Sequence, residues 1–223
     1  RGEYIARQDA DDISHQERLG KEIKFLSGKA EYALVGCCIK IIDDKSKVKG
    51  SLEKPISNEI IHETLKRNNC IAHGSVLMKK RCLFEVGLYD ESFIGSQDYD
   101  LFLRLSDKFK LASLPDFLYF WRDWRGSFSA RNRQLQNLFF KIAQDKLWRK
   151  KAHHPEDFNI GKVTLASNPR PLFSILMANY NNADFVREAI QSVIDQTFKD
   201  WELIIVDDFS EDKLLFAKSN IKV

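Results

Sequence analysis

The chain has 223 residues, 43% hydrophobic, 30% charged and 12% aromatic, the balance of a water-soluble globular protein with enough apolar material for a sizeable core. That composition argues against whole-chain disorder, and no apolar run approaches the roughly 18 residues a helix needs to cross a bilayer. The net charge of +3 conceals a partition: residues 1–130 carry 21 basic and 20 acidic side chains, residues 131–170 carry 9 and 3, and residues 171–223 carry 5 and 9. Positive charge is concentrated in one connecting segment, which argues against a nucleic-acid partner, since such a protein spreads a basic stripe over its folded surface. The four cysteines, Cys37, Cys38, Cys70 and Cys82, form no CxxC pair and read as core thiols of a reducing, cytoplasmic compartment. Arg1 to Ile5 does not read as a secretory signal, and the lack of an initiator Met reads as a fragment.

In chain order, residues 3–8 read as a short strand running into Asp9-Ala10-Asp11-Asp12, and Ser14-His15-Gln16-Glu17 has the S-x-x-E form of a capping box. A helix carrying Leu19, Ile23 and Leu26 follows, stopped by Ser27-Gly28, and then Tyr32 to Ile42 reads as a buried strand. Asp43 to Pro55 reads as a surface loop, Ser57 to Arg67 as a helix, Cys70 to Met78 as strand-like, and Gly87 to Gly95 as a turn-rich stretch. Gln97 to Asp107 returns to helical spacing with Asp98 in its first turn, and Leu111 to Arg122 reads as two short strands split by Pro115. Gln134 to Lys151 is an amphipathic basic helix, suited to rest on an anionic membrane face or to cover core, and His153 to Arg170 is a linker. The grammar then restarts: Phe173 to Ala178 as strand, a helix from Asn182 to about Gln196, Trp201 to Val206 as strand, and Asp207-Asp208 at its carboxyl end. Such a βαβ unit predicts two parallel strands in one sheet.

Two acidic clusters therefore sit where strands end. An Asp-x-Asp at a strand end brings two carboxylates close enough to share a hard divalent ion, Mg²⁺ or Mn²⁺, completed by phosphate oxygens and water. By itself such a motif is more often a solvated turn with helix-capping aspartates.

Read together, the pieces are specific. Pro171 to Asn182, with Ala178-Asn179-Tyr180-Asn181-Asn182, then Ala189 to Phe198, then Trp201 to Asp212 with Val206-Asp207-Asp208, resembles the opening of the family-2 glycosyltransferases. Gly2 to Asp12 looks like that family's DxD strand, and Gly87-Leu88-Tyr89-Asp90 with Gln97 to Leu105 resembles its acceptor-side motif. The resemblance implies an α/β fold of the GT-A type, a Rossmann-like, mostly parallel sheet flanked by helices, here incomplete and in permuted order. The DxD strand comes first in this chain and the family's opening only at Pro171. The implied organisation is the DxD and acceptor-side part of one transferase domain over residues 1–129, a basic helix and linker over 130–170, and the nucleotide-binding start of a second domain over 171–223. The same resemblance places the strands at Glu3 to Gln8 and Phe173 to Ala178 side by side and parallel.

The resemblance also implies roles. Tyr180, Asp207, Asp208 and Asp9 would bind the nucleotide sugar, a uridine diphosphate sugar. Asp11 with Asp9 would hold the Mn²⁺ or Mg²⁺, and Asp98 would be the base for an acceptor hydroxyl on a glycan or lipid-linked glycan. Gln97 stands where many members have Glu. His73, Arg122 and Arg125 are candidates for diphosphate contact or for ordinary structural pairing, and the stripe Phe117, Tyr119 and Trp121 reads as core. Two other functions compete with inverting, metal-dependent sugar transfer: a non-catalytic nucleotide-binding or interaction module, and a Mg²⁺-dependent phosphoryl-transfer domain. The latter needs a further aspartate and a lysine at later strand ends, and none follows Asp208.

Overall fold

The computed structural model describes residues 2–90, 93, 96–124, 140–143, 171–180, 182–207 and 221–222. In chain order they form β1 (Tyr4–Asp9), β2 (Ile13–Ser14), α1 (Arg18–Leu26), β3 (Tyr32–Ile42), β4 (Val48–Leu52) and α2 (Asn58–Leu65). A 3₁₀ turn (His73–Ser75), β5 (Leu77–Lys79), α3 (Lys80–Val86), α4 (Gln97–Lys108) and β6 (Lys110–Arg122) follow, then β7 (Phe173–Asn179), α5 (Ala183–Ile194), β8 (Trp201–Asp207) and β9 (Ile221–Lys222).

All strands join one sheet in the order β2-β6-β3-β5-β1-β7-β8-β9, with β4 pairing β3 from off this path. The long ladders are parallel: β1 with β7, β7 with β8, and β3 with β6. β5 runs antiparallel between β1 and β3, and β2 and β4 add antiparallel margins. This is the mixed α/β, mostly parallel, GT-A-like sheet the resemblance implied. The β1–β7 pairing that it predicted is present, with Tyr4 opposite Phe173 through to Asp9 opposite Ala178.

Strand alternation divides the core between the two faces. Tyr4 and Ala6 of β1 meet Leu19 and Leu26 of α1, Ile175 and Met177 of β7, Val186 and Val193 of α5, and Leu203 and Ile205 of β8. Ile5, one residue out of phase, packs with Leu34, Met78, Ile61, Leu65, Leu101 and Leu105 under α2, α3 and α4. The segment 171–207 therefore supplies much of one layer, and residues 2–124 supply the other.

Several expectations are corrected. The S-x-x-E run is not a capping box: Ser14 lies in β2, its hydroxyl donates to Gln8 Oε1 at 2.5 Å, and Glu17 begins α1 without a side-chain cap. The segment 43–55 contains β4, which pairs with β3 across a turn where Asp43 Oδ1 accepts from the Lys45 and Lys47 N–H groups. Of the strand expected over 70–78 only its end forms β5, which runs straight into α3. α3 closes on Gly87, whose φ of 92° supplies the left-handed turn, with Leu88 N–H returning to Leu83 carbonyl at 2.9 Å. Residues 110–122 are one strand and not two. Its pairing jumps from Cys37–Leu114 to Cys38–Phe117, so Pro115, which has no N–H to give, is bulged out along with Asp116.

The four cysteines are free and buried, as expected. Residues 140–143 are helical, with Phe140 stacked on Tyr99 at 4.3 Å and Ala143 buried. The rest of the basic helix, the linker with His153 and His154, and Arg125 lie outside the described residues. Among the described residues no helix is long and apolar enough to cross a membrane.

Candidate active site

Three parallel strands end on one rim. Asp9 lies opposite Ala178, Ala178 opposite Val206, and Asn179 opposite Asp207. The acidic turn after β1, Tyr180 after β7 and Asp207 at the end of β8 thus share the carboxyl edge of the sheet, where open α/β sheets hold their ligands. Tyr180 is 57% exposed. The Asp207 side chain and Asp208 lie outside the described residues.

The acidic turn is built from below. Asp12 N–H donates to the Asp9 carbonyl at 3.3 Å, closing a turn, so the pleat stops at Asp9 and the turn, not strand alternation, keeps Asp11 near it. Gln8, fully buried, braces that turn: its Nε2 donates to the Asp9 and Asp12 carbonyls at 3.1 and 3.0 Å while its Oε1 accepts from Ser14. Asp12 is buried and accepts the Arg122 N–H at 2.7 Å. Burial first, then the Asp11 and Asp9 charges, raise its pKa well above the ordinary carboxylate value, so Asp12 belongs to the scaffold.

Asp11 and Asp9 face outward from that scaffold. Burial raises the Asp11 pKa and the Asp9 charge adds to it, opposed by the Trp124 Nε1–H donated to Asp11 Oδ2 at 2.9 Å. Asp9 Oδ1 accepts from Arg7 Nη2 at 2.8 Å, and its N–H donates to the Tyr119 hydroxyl at 3.1 Å. Each carboxylate keeps a second oxygen outside these bonds. Two mutually repelling carboxylates at a strand end suit a hard cation that takes its remaining ligands from phosphate and water. Among the described residues no group of three or more His, Cys, Asp or Glu side chains is placed to hold an ion.

Asp98 stands in the first turn of α4, near enough to Asp9 for the two charges to interact. Burial raises its pKa, while the Tyr99 N–H and the Asn69 amide hold it down, and the charge of Asp9 pushes it up again. Asn69 Nδ2 donates to Asp98 Oδ2 at 3.0 Å. Next to it the His73 ring nitrogen Nε2 lies 2.8 Å from the Tyr89 hydroxyl. Burial, with Arg7 adding, holds His73 well below its ordinary pKa, so it is neutral, and burial pushes the Tyr89 phenol up to about 12.

Arg122 is neither exposed nor open to a diphosphate. It is 1% exposed, and its guanidinium donates to the Asp11 carbonyl at 2.7 Å, the Asp43 carbonyl at 2.8 Å, the Ser46 hydroxyl at 3.0 Å and Glu188 Oε2 at 2.7 Å, with Phe185 stacked 4.5 Å away. It ties β6, the acidic turn, the β3–β4 hairpin and α5 together. Tyr119 was read correctly as core, yet it also carries the hydrogen bond to Asp9. Sequence reading missed Gln8, Arg7, Asn69 and Trp124. Arg7 alone left a trace, standing two residues before Asp9 and so on the same face of β1.

The family described as Glycosyltransferase like family 2 matches residues 1–147, and Glycosyl transferase family 2 matches residues 174–217. The chain belongs to the family-2 glycosyltransferases. It is 27% identical over 183 residues to an uncharacterized glycosyltransferase of Methanocaldococcus jannaschii, covering 81% of this chain and 62% of that protein. It is 33% identical over 116 residues to the amylovoran biosynthesis glycosyltransferase AmsE of Erwinia amylovora, covering 51% and 42%. It is 34% identical over 101 residues to the O-antigen biosynthesis glycosyltransferase WbnJ of Escherichia coli, covering 45% and 39%. The chain spans less than two thirds of the length of each of these relatives.

Proposed function

We propose that the chain is part of a glycosyltransferase that moves a sugar from a uridine diphosphate sugar to a hydroxyl of a glycan or lipid-linked glycan, with inversion. The observation that supports this most is the shared rim: the ends of β1, β7 and β8 in register, with Asp98 near enough to Asp9 for their charges to interact. Tyr180 would stack on the base, and Asp207 and Asp208 would bond the base or ribose. Asp9 and Asp11 would hold a Mn²⁺ or Mg²⁺, which when bound screens the charge that develops on the departing diphosphate. Asp98 takes the proton of the acceptor hydroxyl, the freed oxygen attacks the anomeric carbon from the face opposite the leaving group, and the carbon–oxygen bond to the diphosphate breaks with its electron pair.

The names of AmsE and WbnJ support a role in the synthesis of a surface polysaccharide, at the cytoplasmic side of a membrane that the basic helix over 134–151 would touch. The two family matches in succession support a tandem layout, with 1–129 closing one transferase domain and 171–223 opening the next. Asp98→Asn in the longer tandem protein tests the reading. Transfer should fall by at least about a thousandfold while affinity for the donor stays within about twofold, because a base acts on the acceptor. Near-normal transfer would remove Asp98 from the role of base.

A further inference from the structure

Asn69 lies between α2 and the 3₁₀ turn, in a stretch without regular structure. Its neighbours Cys70 and Ile71 are 8% and 5% exposed and pack into the core beneath α2 and α4, so the backbone at Asn69 is anchored. The side chain is fixed at both ends of its amide. Oδ1 accepts the Ile71 N–H at 3.2 Å, which decides the orientation of the amide and leaves Nδ2 as the end that meets Asp98 Oδ2 at 3.0 Å. With the amide reversed, an oxygen would face the carboxylate and an NH₂ would face an N–H, so the two bonds enforce one another.

We infer that Asn69 is a positioning residue for Asp98: its locked amide holds one carboxylate oxygen in place and leaves the remaining lone pairs for the acceptor hydroxyl. The inference rests on the reading of Asp98 as the base, although the coupling between the two side chains does not. Asp98 is held in a place where burial favours its protonated form, and the charge of Asp9 on β1 works in the same direction. Among the described residues, the neighbouring groups are Tyr89, which feels the Asp98 charge, with neutral His73 on its hydroxyl and Arg7 and Arg104 acting on Tyr89 as well. Among the described residues, donated N–H groups act the other way and favour the carboxylate, and Asn69 supplies the one that comes from a side chain. A base that is protonated at working pH cannot accept a proton, so the amide sets both the aim and the charge of Asp98.

The test is a carbon-13 titration of the chain labelled at the aspartate carboxyls, with the Asp98 resonance identified by its loss in Asp98→Asn. In Asn69→Leu the Asp98 midpoint should rise by about one to two pH units, the worth of a hydrogen bond to a charged group. In Asn69→Asp, which is nearly isosteric and keeps the fold if the leucine variant does not, the rise should be larger because a second carboxylate replaces the donor. Loss of a merely structural contact would lower the melting temperature without moving this midpoint. An unmoved midpoint in either folded variant overturns the coupling. A shifted midpoint together with normal transfer by Asp98→Asn in the tandem protein overturns the positioning role while leaving the coupling, and so marks the failure as one of the base reading.

Discussion

Glu22 illustrates how much a single side chain can bind folding to pH. It is 0% exposed on α1, neither oxygen finds a hydrogen-bond partner, and its nearest cation, Arg18 Nε, is 3.8 Å away. Burial outweighs Arg18 and pushes its pKa up to about 8 from an ordinary 4.5. The folded state therefore holds a proton that the unfolded chain gives up above about 4.5. Stability from this group is full below that pH and is lost as pH rises toward 8 and beyond. Glu22→Gln keeps the neutral form at every pH. Its melting temperature should match the parent near pH 5 and exceed it by several degrees at pH 8.5; an unchanged difference between the two pH values would mean that folding does not raise the Glu22 pKa. Arg18 itself is held by other bonds, donating to the Gly74 and Arg7 carbonyls at 2.8 and 2.9 Å, so the glutamine variant does not unfasten it.

At the scale of elements, the 3₁₀ turn (His73–Ser75) is where the scaffold presses against the acidic turn. A β-carbon at Gly74 would overlap the Tyr119 hydroxyl and lie 2.7 Å from Asp9 Oδ2. Tyr119 is 1% exposed and cannot swing away. Gly74→Ala should cost about 1–3 kcal/mol in urea unfolding, as overpacking does, and Tyr119→Phe combined with it should recover part of that loss. Equal stability of Gly74→Ala and the parent would mean the turn has room that the geometry denies it.

Which elements were legible follows from where their partners lie. β3 and the β7–α5–β8 unit announce themselves because burial on both faces makes continuous apolar runs and because the helix repeats its apolar stripe. β4 does not, since Val48 and Leu52 are exposed and among the described strands it pairs with β3 alone. α3 buries only Cys82 and Leu83, too little periodicity to read. Of the site, the aspartates and Tyr180 were legible as local motifs. Arg122 reaching Asp11 and Glu188 and Asn69 reaching Asp98 were not, because the partners stand 29 to 111 residues apart and the pairing exists only once the sheet has formed, and Gln8 bracing the turn was not, because its bonds to Asp9, Asp12 and Ser14 depend on how the chain bends after β1. A local S-x-x-E pattern misled for the same reason, Ser14 being claimed by Gln8 and by Tyr119 across β2 and β6.

At the scale of the whole molecule, residues 171–207 are fastened to residues 2–124 by more than the β1–β7 ladder. Gln196 accepts the Leu19 N–H at 3.1 Å and donates to the His15 carbonyl at 2.7 Å, Ser192 accepts the Ser14 N–H at 3.0 Å, and Glu188 meets Arg122. Removing residues 171–223 would bare Tyr4, Ala6, Leu19 and Leu26 and leave β1 as an unpaired edge. Such a chain should lose cooperative thermal unfolding by near-ultraviolet dichroism and aggregate. A sharp transition at the parent temperature would make the docking incidental.

The docking also brings Tyr180 and the end of β8, which we propose bind the nucleotide, beside the acidic turn of β1. Calorimetric titration of this chain with uridine diphosphate, with and without Mn²⁺, tests that most directly. The account predicts binding that requires Mn²⁺, is weakened at least about tenfold by Asp11→Asn, and changes by less than about twofold in Asp98→Asn. Binding indifferent to both Mn²⁺ and Asp11→Asn would contradict it.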